Sequence, residues 1–463
     1  MYFEQFYLGC LAHASYLLAS DGEGVVVDPQ RDVELYLKAA TDHGITIRHI
    51  FESHLHADFV SGHKELAART GATIYMGALA GATFPHVPVH DGFVLKFGKA
   101  SIRVLETPGH TPESICMVVT DAEKSSAPWA VLTGDTLFIG DVGRPDLSPK
   151  HTPAELAGLL YDSLHGKLLT LADTVLVYPA HGAGSLCGKN MRAERSSTIG
   201  TERLTNYALQ IKSREEFIAQ LTSNLPARPE YFLKDAEMNR TGAAALSDLP
   251  PLRAITPAEL KAMLNAGEMA LDVRPGEEFA AGHVPGSINI ALGGQFASWA
   301  GTMLGLSGHP VLIAGSDAQL EEARLRVTRV GIEVLDGYLD GGVAAWKQAG
   351  LPLATISQMT AGELDARLKS HAVQVLDVRR EPEWDVAHIE GATWWPLDNF
   401  RVSPPEMDHE APIAVHCKGG YRSMIASSLM QRAGFKNVIN VIGGFDAWQQ
   451  ANLPTASAKP VGV

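Results

Sequence analysis

Short apolar runs, each closed by a turn or a polar residue, recur along the first half of the chain. Residues 24–28 form one such run, and residues 48–52 form another just before His54. Between them, apolar positions at helical spacing predict a helix over residues 33–43. Strands that alternate with helices in this way are typical of an α/β fold.

Polar residues with metal-binding side chains follow several of these predicted strands. The strand at residues 102–106 precedes His110, and the strand at residues 129–133 precedes Asp135. Loops at the ends of strands are where α/β folds usually assemble their sites. The pattern therefore predicts that His54, His110 and Asp135 lie at one common site.

The second half of the chain repeats itself. The sequence Leu-Asp-Val-Arg at residues 271–274 returns at residues 376–379, which is an offset of 105 residues. The sequence Gly-Gly-x-x-Ala-Trp at residues 341–346 returns at residues 443–448, an offset of 102. Two nearly equal offsets predict two copies of one α/β domain of about 100 residues.

A chain of 463 residues is too long for one ordinary core. We predict a first domain at residues 1–235, a linker at 236–254, and α/β domains at 255–355 and 356–456. The composition, 46% hydrophobic and 19% charged, is typical of a globular protein. We see no apolar run near the ~18 residues of a membrane span and no leader segment, so we expect a cytoplasmic protein. The net charge of -14 argues against nucleic acid or a membrane as a partner.

The chain has four cysteines, without the spacing of a disulfide framework or a zinc knuckle. Cys417 differs from the others because an apolar strand delivers it into a glycine-containing loop, residues 417–422, that opens a helix. Backbone N–H groups and the helix dipole at such a loop favour a thiolate and hold an anion beside it. Arg422 adds fixed positive charge. The alternative is that Cys417 is a small buried hydrophobic residue.

Each of the two copies resembles the rhodanese domain. The markers are Leu-Asp-Val-Arg, then His-x-x-Gly at residues 283–286 and 388–391, then Gly-Gly-x-x-Ala-Trp. The resemblance implies that Cys417 carries sulfane sulfur as a persulfide. The six-residue loop is similar to that of sulfurtransferases, whereas the related dual-specificity phosphatases have a loop one residue longer.

The middle copy lacks the cysteine and the arginine of this loop. When the two copies are aligned from Pro310 and Pro412, Gly315 stands opposite Cys417 and Leu320 stands opposite Arg422. The middle domain therefore has no nucleophile, and we expect it to have a structural or docking role.

Four motifs in the first section resemble those of the metallo-β-lactamase superfamily, which implies an αββα fold. In chain order they are His-x-His-x-Asp at residues 54–58, Thr-Pro-Gly-His-Thr-Pro at 107–112, Thr-Gly-Asp-Thr at 133–136 and Tyr-Pro-Ala-His at 178–181. The superfamily pattern H-x-H-x-D-H ends in a histidine, but this chain has Phe59. Phenylalanine cannot bind a second metal ion, so we predict a one-metal site.

Within that superfamily the section resembles the persulfide dioxygenases, and the domain order is similar to bacterial fusions of such an enzyme with an inactive and an active rhodanese domain. The resemblance implies one Fe(II) ion per chain, with His54, His110 and Asp135 as ligands. Two imidazoles and a carboxylate on one face of Fe(II) leave open positions for a thiol and O₂. The resemblance also implies residues that orient the ligands or iron-bound water, namely His56, Asp58 and His181. Asp28, which closes the first strand, is a further candidate, with a turn-forming Asp-Pro as the equal alternative.

The residues that would bind the substrate match the family only in part. Arg144 matches the arginine that helps to hold a glutathione carboxylate in the family. The tyrosine that assists it is replaced by Ala183, which leaves room for another carrier such as coenzyme A. Cys187 lies six residues after His181 and is a candidate for relaying sulfur, with an unreactive loop cysteine as the equal alternative.

These resemblances imply Fe(II)-dependent oxidation of a low-molecular-weight persulfide by O₂ to sulfite, coupled to sulfane-sulfur transfer through Cys417. Transfer to sulfite would yield thiosulfate, and the direction of sulfur flow is left open. The expected partners are a thiol persulfide, O₂ and sulfite, and fusions of this kind are commonly homo-oligomers. The alternatives are a zinc thioester hydrolase similar to glyoxalase II and a non-enzymatic rhodanese module for sulfur sensing or scaffolding.

Overall fold

The computed structural model describes residues 1–223, 225, 228–305 and 308–457. Contacts divide the chain into two compact units. The first comprises Met1–Pro250 with Thr328–Gly331, and the second comprises Pro251–Val327 with Ile332–Val463. No described helix is both long enough and apolar enough to cross a membrane.

Two six-stranded sheets build the first unit. The first sheet is ordered as in the chain: β1 (Tyr2–Leu8), β2 (His13–Ser20), β3 (Glu23–Val27), β4 (Thr46–Glu52), β5 (Thr73–Gly77) and β6 (Val87–Val89). The second sheet contains β7 (Val94–Phe97), β8 (Ala100–Glu106), β9 (Ile115–Asp121), β10 (Ala130–Gly134), β11 (Leu176–Pro179) and β12 (Ser197–Thr198). Strands β3 to β6 are parallel, as are β10 and β11, so several carboxyl ends meet at one edge.

Helices cover the outer faces of both sheets. The helices of this unit are α1 (Glu34–Asp42), α2 (His63–Thr70), α3 (Pro153–Gly166), α4 (Ile199–Thr205), α5 (Tyr207–Gln210), α6 (Arg214–Thr222) and α7 (Tyr231–Thr241), with short 3-10 helices at Leu168–Thr170 and Leu246–Asp248. One core cluster joins apolar residues of the two sheets to each other. Two others join one sheet to α1 and α2 and the other sheet to α3 and α6. This layering is the predicted αββα fold.

The predicted elements agree with the structure except at the linker. The helix predicted over residues 33–43 is α1, and the strands predicted before His54, His110 and Asp135 are β4, β8 and β10. However, residues 236–241 of the predicted linker belong to α7. Two of the buried residues of α7 are Asp235 and Asn239, so its inward face carries little of the apolar periodicity that would reveal a helix.

The second unit contains two five-stranded parallel sheets with the same order, in which the first strand is followed by the fifth, fourth, second and third. The middle domain has β13 (Ala254–Ile255), β14 (Ala270–Asp272), β15 (Ile288–Asn289), β16 (Val311–Ile313) and β17 (Gly337–Leu339). The last domain has β18 (Ser357–Met359), β19 (Gln374–Asp377), β20 (Thr393–Trp394), β21 (Pro412–His416) and β22 (Asn437–Val441). Identical strand order confirms the repeat seen in the sequence.

Helices of the two domains also correspond. The middle domain has α8 (Pro257–Asn265), α9 (Gly276–Ala281), α10 (Phe296–Leu304), α11 (Asp317–Thr328) and α12 (Gly342–Gln348). The last domain has α13 (Ala361–Lys369), α14 (Glu381–Val386), α15 (Tyr421–Arg432) and α16 (Gly444–Gln450), with a 3-10 helix at Leu397–Arg401.

Residues of the repeated motifs stabilise the fold of both copies. Arg274 pairs with Asp272 at 2.6 Å, and Arg379 pairs with Asp377 at 2.6 Å, in buried surroundings. His388 stacks on Trp384 with ring centroids 3.7 Å apart. Buried charges need such partners, which explains why the aspartate and the arginine occur together in each copy.

Candidate metal centre and cysteine loop

Three ligand-type side chains converge beyond the ends of strands in the first unit. His54 follows β4, His110 follows β8 and Asp135 follows β10. All three side chains are buried, and each offers an atom within 4.8 Å of the others. The sequence predicted this meeting point, and the fold brings the three residues together.

The facing atoms of this cluster suit a metal ion. Nε2 of His110 lies 3.4 Å from Asp135 Oδ2, and Nε2 of His54 lies 3.8 Å from the same oxygen. Within the described part of the chain these three atoms are buried and have no hydrogen-bond partner. Buried polar atoms without partners are costly, and a shared cation would satisfy all three at once. The donor set of two imidazoles and one carboxylate therefore fits one divalent metal.

In His54 and His110, the ring nitrogen that faces away from the cluster contacts a neighbouring residue. His54 Nδ1 lies 3.0 Å from Ser53 Oγ, and His110 Nδ1 lies 2.9 Å from the carbonyl oxygen of Arg144. A proton on His110 Nδ1 would be donated to that carbonyl, which leaves Nε2 free to bind a metal. Such outer contacts fix the orientation of a ligand ring.

The charge states also suit metal binding. Burial lowers the pKa of His54 well below its ordinary value and also lowers the pKa of His110. Although burial alone would raise the pKa of Asp135, the charge of His181 and its hydrogen bond to the carboxylate hold it well below its usual range. Two neutral imidazoles and an ionised carboxylate are the forms that ligate metals.

His181 connects the cluster to a second carboxylate. It donates from Nδ1 to Asp135 Oδ1 at 2.8 Å, while its Nε2 lies 2.8 Å from Asp58 Oδ2. Burial opposes the charged form, but the charges of Asp135 and Asp58 raise the pKa of His181 well above its ordinary value. The structure thus places His181 and Asp58 where they can orient Asp135.

His56 lies on another side of the cluster. Its ring centroid is 4.1 Å from that of His54, but its Nε2 faces Asp28 at 3.2 Å and Glu52 at 3.6 Å. Asp28 also accepts a hydrogen bond of 2.6 Å from the backbone N–H of Ser53. Asp28 therefore contacts the loop before His54, and its imidazole partner is His56.

Phe59 fills an apolar position beside these histidines. It is 1% exposed, and its ring centroid lies 4.0 Å from that of His13 and 4.4 Å from that of His56. His13 is fully buried at the start of β2, although it matches no motif. The sequence indicates the burial of His13 only through its position at the start of an apolar strand.

Replacing Phe59 with histidine should create a second metal site, because the new imidazole would lie on the loop beside Asp58 and near His181. We expect zinc-grown protein to rise from about one to about two metal ions per chain, measured by elemental analysis. Phe59→Leu is the matched control and should leave the metal content unchanged. Equal metal content in the two variants would contradict this explanation of Phe59.

A residue of α7 holds the metal-binding loop in place. Asn239 donates from Nδ2 to the carbonyl oxygens of His56 at 2.7 Å and Phe59 at 2.8 Å. Its Oδ1 accepts a hydrogen bond of 2.7 Å from the N–H of Ser61. The sequence gives no signal for this role of Asn239, because Asn239 lies 178 residues from Ser61 in a segment with a linker-like composition.

Arg144 and Cys187 occupy adjoining loops near the cluster. The N–H of Arg144 donates to the carbonyl oxygen of Cys187 at 3.0 Å. The Arg144 guanidinium is buried and binds Asp146 through two hydrogen bonds of 2.6 and 2.8 Å. Sγ of Cys187 lies within 4.8 Å of ligand atoms of Asp58 and His181. Burial, followed by the charges of Asp58 and Asp135, raises the pKa of this thiol well above its ordinary value.

The second candidate site is the Cys417 loop of the last domain. Cys417 follows β21 directly, and α15 begins at Tyr421. The Cys417 side chain is 1% exposed, and its Sγ accepts a hydrogen bond of 3.1 Å from the N–H of Gly420. Gly420 has φ of 102°, which a residue with a side chain rarely adopts. The strand, loop and helix therefore have the predicted arrangement.

Arg422 is already paired. Its Nη1 and Nη2 each donate to a carboxylate oxygen of Glu383 at 2.7 Å. Glu383 lies on α14, 39 residues earlier in the chain. The fixed positive charge expected from the sequence is present, but a carboxylate partner balances it.

The Gly-Gly motif supports the same loop. The N–H groups of Phe445 and Asp446 donate to the carbonyl oxygens of Cys417 at 2.7 Å and Lys418 at 3.0 Å. Gly444 has φ of 55°, and a Cβ atom built on it would lie 2.4 Å from the Cys417 carbonyl oxygen. Only glycine allows α16 to approach the loop this closely.

Gly444→Ala should therefore displace the Cys417 loop and reduce sulfane-sulfur transfer by roughly 10- to 100-fold, measured as thiocyanate formation. Gly342→Ala is the matched control, since Gly342 has φ of 58° and a Cβ there would lie 2.8 Å from the Ala314 carbonyl oxygen in the middle domain. Similar losses of transfer in both variants would show that the effect is one of general destabilisation.

The middle domain has a different residue at each reactive position. Gly315 follows β16 as Cys417 follows β21, and its N–H donates to Gln319 Oε1 at 2.9 Å. Leu320 stands at the position of Arg422 and is buried. The structure agrees with the absence of a nucleophile inferred from the sequence.

Comparisons with known proteins assign both halves of the chain. Residues 8–181 match the family described as the metallo-beta-lactamase superfamily, and residues 256–349 and 360–451 each match the rhodanese-like domain. The chain is 31% identical over 221 residues to the bovine mitochondrial persulfide dioxygenase ETHE1, covering 46% of this chain and 77% of that protein. The human protein of the same name is 30% identical with the same coverage.

Other relatives give a similar assignment of fold. A hydroxyacylglutathione hydrolase from Francisella tularensis subsp. novicida is 30% identical, over 37% of this chain and 63% of that protein. The crystal structure of a metallo-beta-lactamase from Staphylococcus aureus has a TM-score of 0.66 and 32% identity, covering 73% of this chain and 98% of that one. The chain therefore belongs to the persulfide dioxygenase family of the metallo-β-lactamase superfamily, fused to two rhodanese-like domains.

Proposed function

We propose that this protein oxidises a low-molecular-weight persulfide with O₂ at one Fe(II) ion per chain and transfers sulfane sulfur through Cys417. The observation that carries the proposal is the convergence of His54, His110 and Asp135, whose facing atoms are buried and without hydrogen-bond partners in the described structure. The similarity to ETHE1 persulfide dioxygenases over this part of the chain supports the same reaction.

Iron bound to two imidazoles and one carboxylate would supply open coordination positions for a thiol sulfur and O₂. The overall reaction takes one persulfide, one O₂ and one water to the free thiol and sulfite, so both atoms of O₂ end on the terminal sulfur. The chain's own contribution is orientation: His181 holds Asp135 through Oδ1, and the Arg144 carbonyl holds His110 through Nδ1. Such contacts keep the ligand atoms aimed at one point.

Two residues near this site bear on how a carrier would bind. Cys187 lies beside Asp58 and His181, but it is buried and its pKa is raised well above the ordinary value, so a protonated, unreactive thiol is favoured over a sulfur relay. Arg144 adjoins Cys187 through its backbone, and its guanidinium is held by Asp146. A carrier carboxylate could bind Arg144 only by displacing Asp146, so this role stays a prediction, with glutathione and coenzyme A as the two carriers to be compared.

Sulfur transfer at Cys417 is a separate step. The Cys417 thiolate attacks the terminal sulfur of a persulfide, a new S–S bond forms, and the electron pair of the broken S–S bond leaves with the carrier thiol. The outer sulfur can then pass to sulfite, which gives thiosulfate and returns the thiolate. The N–H of Gly420, which already donates to Cys417 Sγ, stabilises the negative charge during both steps.

A zinc thioester hydrolase is the second candidate, because a hydroxyacylglutathione hydrolase also matches this part of the chain. Such two-metal chemistry needs a ligand where this chain has the buried Phe59, which favours the oxygenase. A purely structural role for the rhodanese pair is disfavoured by the intact Cys417 loop, which a scaffold would not require.

The proposed function is tested by O₂ uptake of anaerobically purified, iron-loaded protein with glutathione persulfide and coenzyme A persulfide side by side. We expect O₂ consumption with at least one carrier, and sulfite or thiosulfate as the product. Hydrolysis of a glutathione thioester by zinc-loaded protein, without O₂ uptake, would favour the hydrolase. Absence of O₂ uptake with every persulfide would overturn the proposal.

A further inference from the structure

The Arg422–Glu383 pair changes the charge that a substrate meets at the Cys417 loop. Both carboxylate oxygens of Glu383 accept a hydrogen bond of 2.7 Å from Arg422, which is the bidentate geometry of a strong ion pair. The side chains are only 17% and 31% exposed, so solvent screens the pair incompletely. A single positive charge beside Cys417 has thereby become a neutral pair.

The other guanidinium beside the loop is neutralised in the same way. Arg379 binds Asp377 through hydrogen bonds of 3.0 and 2.6 Å, and both residues are buried. His416 precedes Cys417 and has its Nε2 3.5 Å from Asp377 Oδ2. Burial lowers the pKa of His416, so its imidazole is neutral. Among the described residues of the loop, Lys418 is an exposed cation without an ion pair.

The Arg422–Glu383 pair is specific to the copy that carries the cysteine. The repeat offset of 105 residues places Glu278 of the middle domain opposite Glu383, but Leu320 stands where Arg422 would be. Glu278 is exposed to solvent. The carboxylate therefore occurs in both copies, and only the last domain uses it to balance an arginine next to a thiol.

We infer that Glu383 sets the charge preference of the sulfurtransferase site, so that Cys417 takes sulfur from thiol persulfides in preference to dianionic thiosulfate. The inference rests on the proposed sulfur transfer and names the class of donor for that site. A neutral ion pair leaves the backbone N–H groups of the loop and the exposed, solvent-screened Lys418 to bind an anion, which suits a donor with little charge at the reacting sulfur. An unpaired Arg422 would instead attract a dianion.

The two donors react by balanced steps that differ in charge. With a protonated persulfide, the Cys417 thiolate bonds to the terminal sulfur and a carrier thiolate leaves with the electron pair of the old S–S bond. With thiosulfate, Cys417 bonds to the outer sulfur and sulfite leaves with the electron pair. Two negative charges must enter the loop only in the second case, so only that case depends strongly on Arg422 being free.

The test compares thiocyanate formation from thiosulfate and from glutathione persulfide, with cyanide as the acceptor, in the full-length wild type and three variants. Glu383→Gln removes the charge and should raise kcat/KM for thiosulfate by about tenfold while changing that for the persulfide by less than about twofold. Glu383→Asp keeps the charge and should retain the wild-type preference. Glu381→Gln, an exposed neighbour on α14, is the control and should match the wild type.

Ionic strength gives a second readout that needs no variant. Since the pair is neutral, kcat/KM of the wild type for thiosulfate should change little between about 50 and 300 mM salt, whereas an unpaired arginine would give a steep fall. An unchanged donor ratio in Glu383→Gln, an equal loss with both donors, or a steep salt dependence of the wild type would each overturn the inference. If the wild type formed no thiocyanate from either donor, the proposed sulfur transfer itself would be wrong.

Discussion

His110→Ala should abolish persulfide-dependent O₂ uptake and iron binding while leaving sulfur transfer at Cys417 intact. The structure supplies the reason, since Nε2 of His110 is one of three buried atoms that converge without hydrogen-bond partners in the described structure. Loss of an outer contact to a ligand costs about 10- to 100-fold in metal affinity or activity, so loss of a ligand itself should cost on the order of a thousandfold or more. Iron content and O₂ uptake are measured on the same sample.

The control for this prediction is His90→Ala, because the His90 side chain is 74% exposed and lies outside the cluster. It should keep full iron content and full O₂ uptake. If His110→Ala retained stoichiometric iron and near wild-type O₂ uptake, the assignment of the metal centre to this cluster would be wrong, whatever the reaction.

Cys417→Ser should remove sulfane-sulfur transfer almost completely, with a loss on the order of a thousandfold or more in thiocyanate formation. A serine hydroxyl is a poor nucleophile at neutral pH and forms no persulfide, although it can still accept the hydrogen bond of Gly420. O₂ uptake with a free persulfide should stay within about twofold of the wild type, because the two sites belong to separate domains of the chain.

Cys10→Ser is the matched control, because Cys10 is a partly exposed free thiol that lies outside both sites. It should preserve both activities. An equal loss of O₂ uptake and sulfur transfer in Cys417→Ser would mean that the two reactions are coupled through this thiol and cannot be separated.

The convergence of the three candidate metal ligands could be predicted from the sequence for a physical reason. His54, His110 and Asp135 each follow an apolar strand, and strand ends of an α/β sheet gather at one edge. Their residue types then limited the chemistry to a metal ion. Cys417 was readable in the same way, because the strand, glycine loop and helix are contiguous in the chain.

Contacts between segments that lie far apart in the sequence could not be predicted from it. Glu383 reaches Arg422 from another helix, and nothing in the spacing of α14 marks it as the partner of a loop residue. Asn239 was hidden because a buried amide breaks the apolar pattern of its helix. Each of these contacts depends on the folded packing of two segments, while periodicity reports on only one segment at a time.

The hydrogen bonds of Asn239 also decide where the chain can be divided for expression. A fragment that ends at residue 235 lacks this side chain and leaves two carbonyl groups and one N–H group of the metal-binding loop without partners. Each unmet buried group costs about 1–3 kcal/mol, which together is a large part of the ~5–15 kcal/mol that stabilises a typical domain. A fragment that extends to Pro250 keeps all three partners, but it still lacks Thr328–Gly331 of the first compact unit and with it the Arg329 carbonyl oxygen that accepts a hydrogen bond from the N–H of Val60.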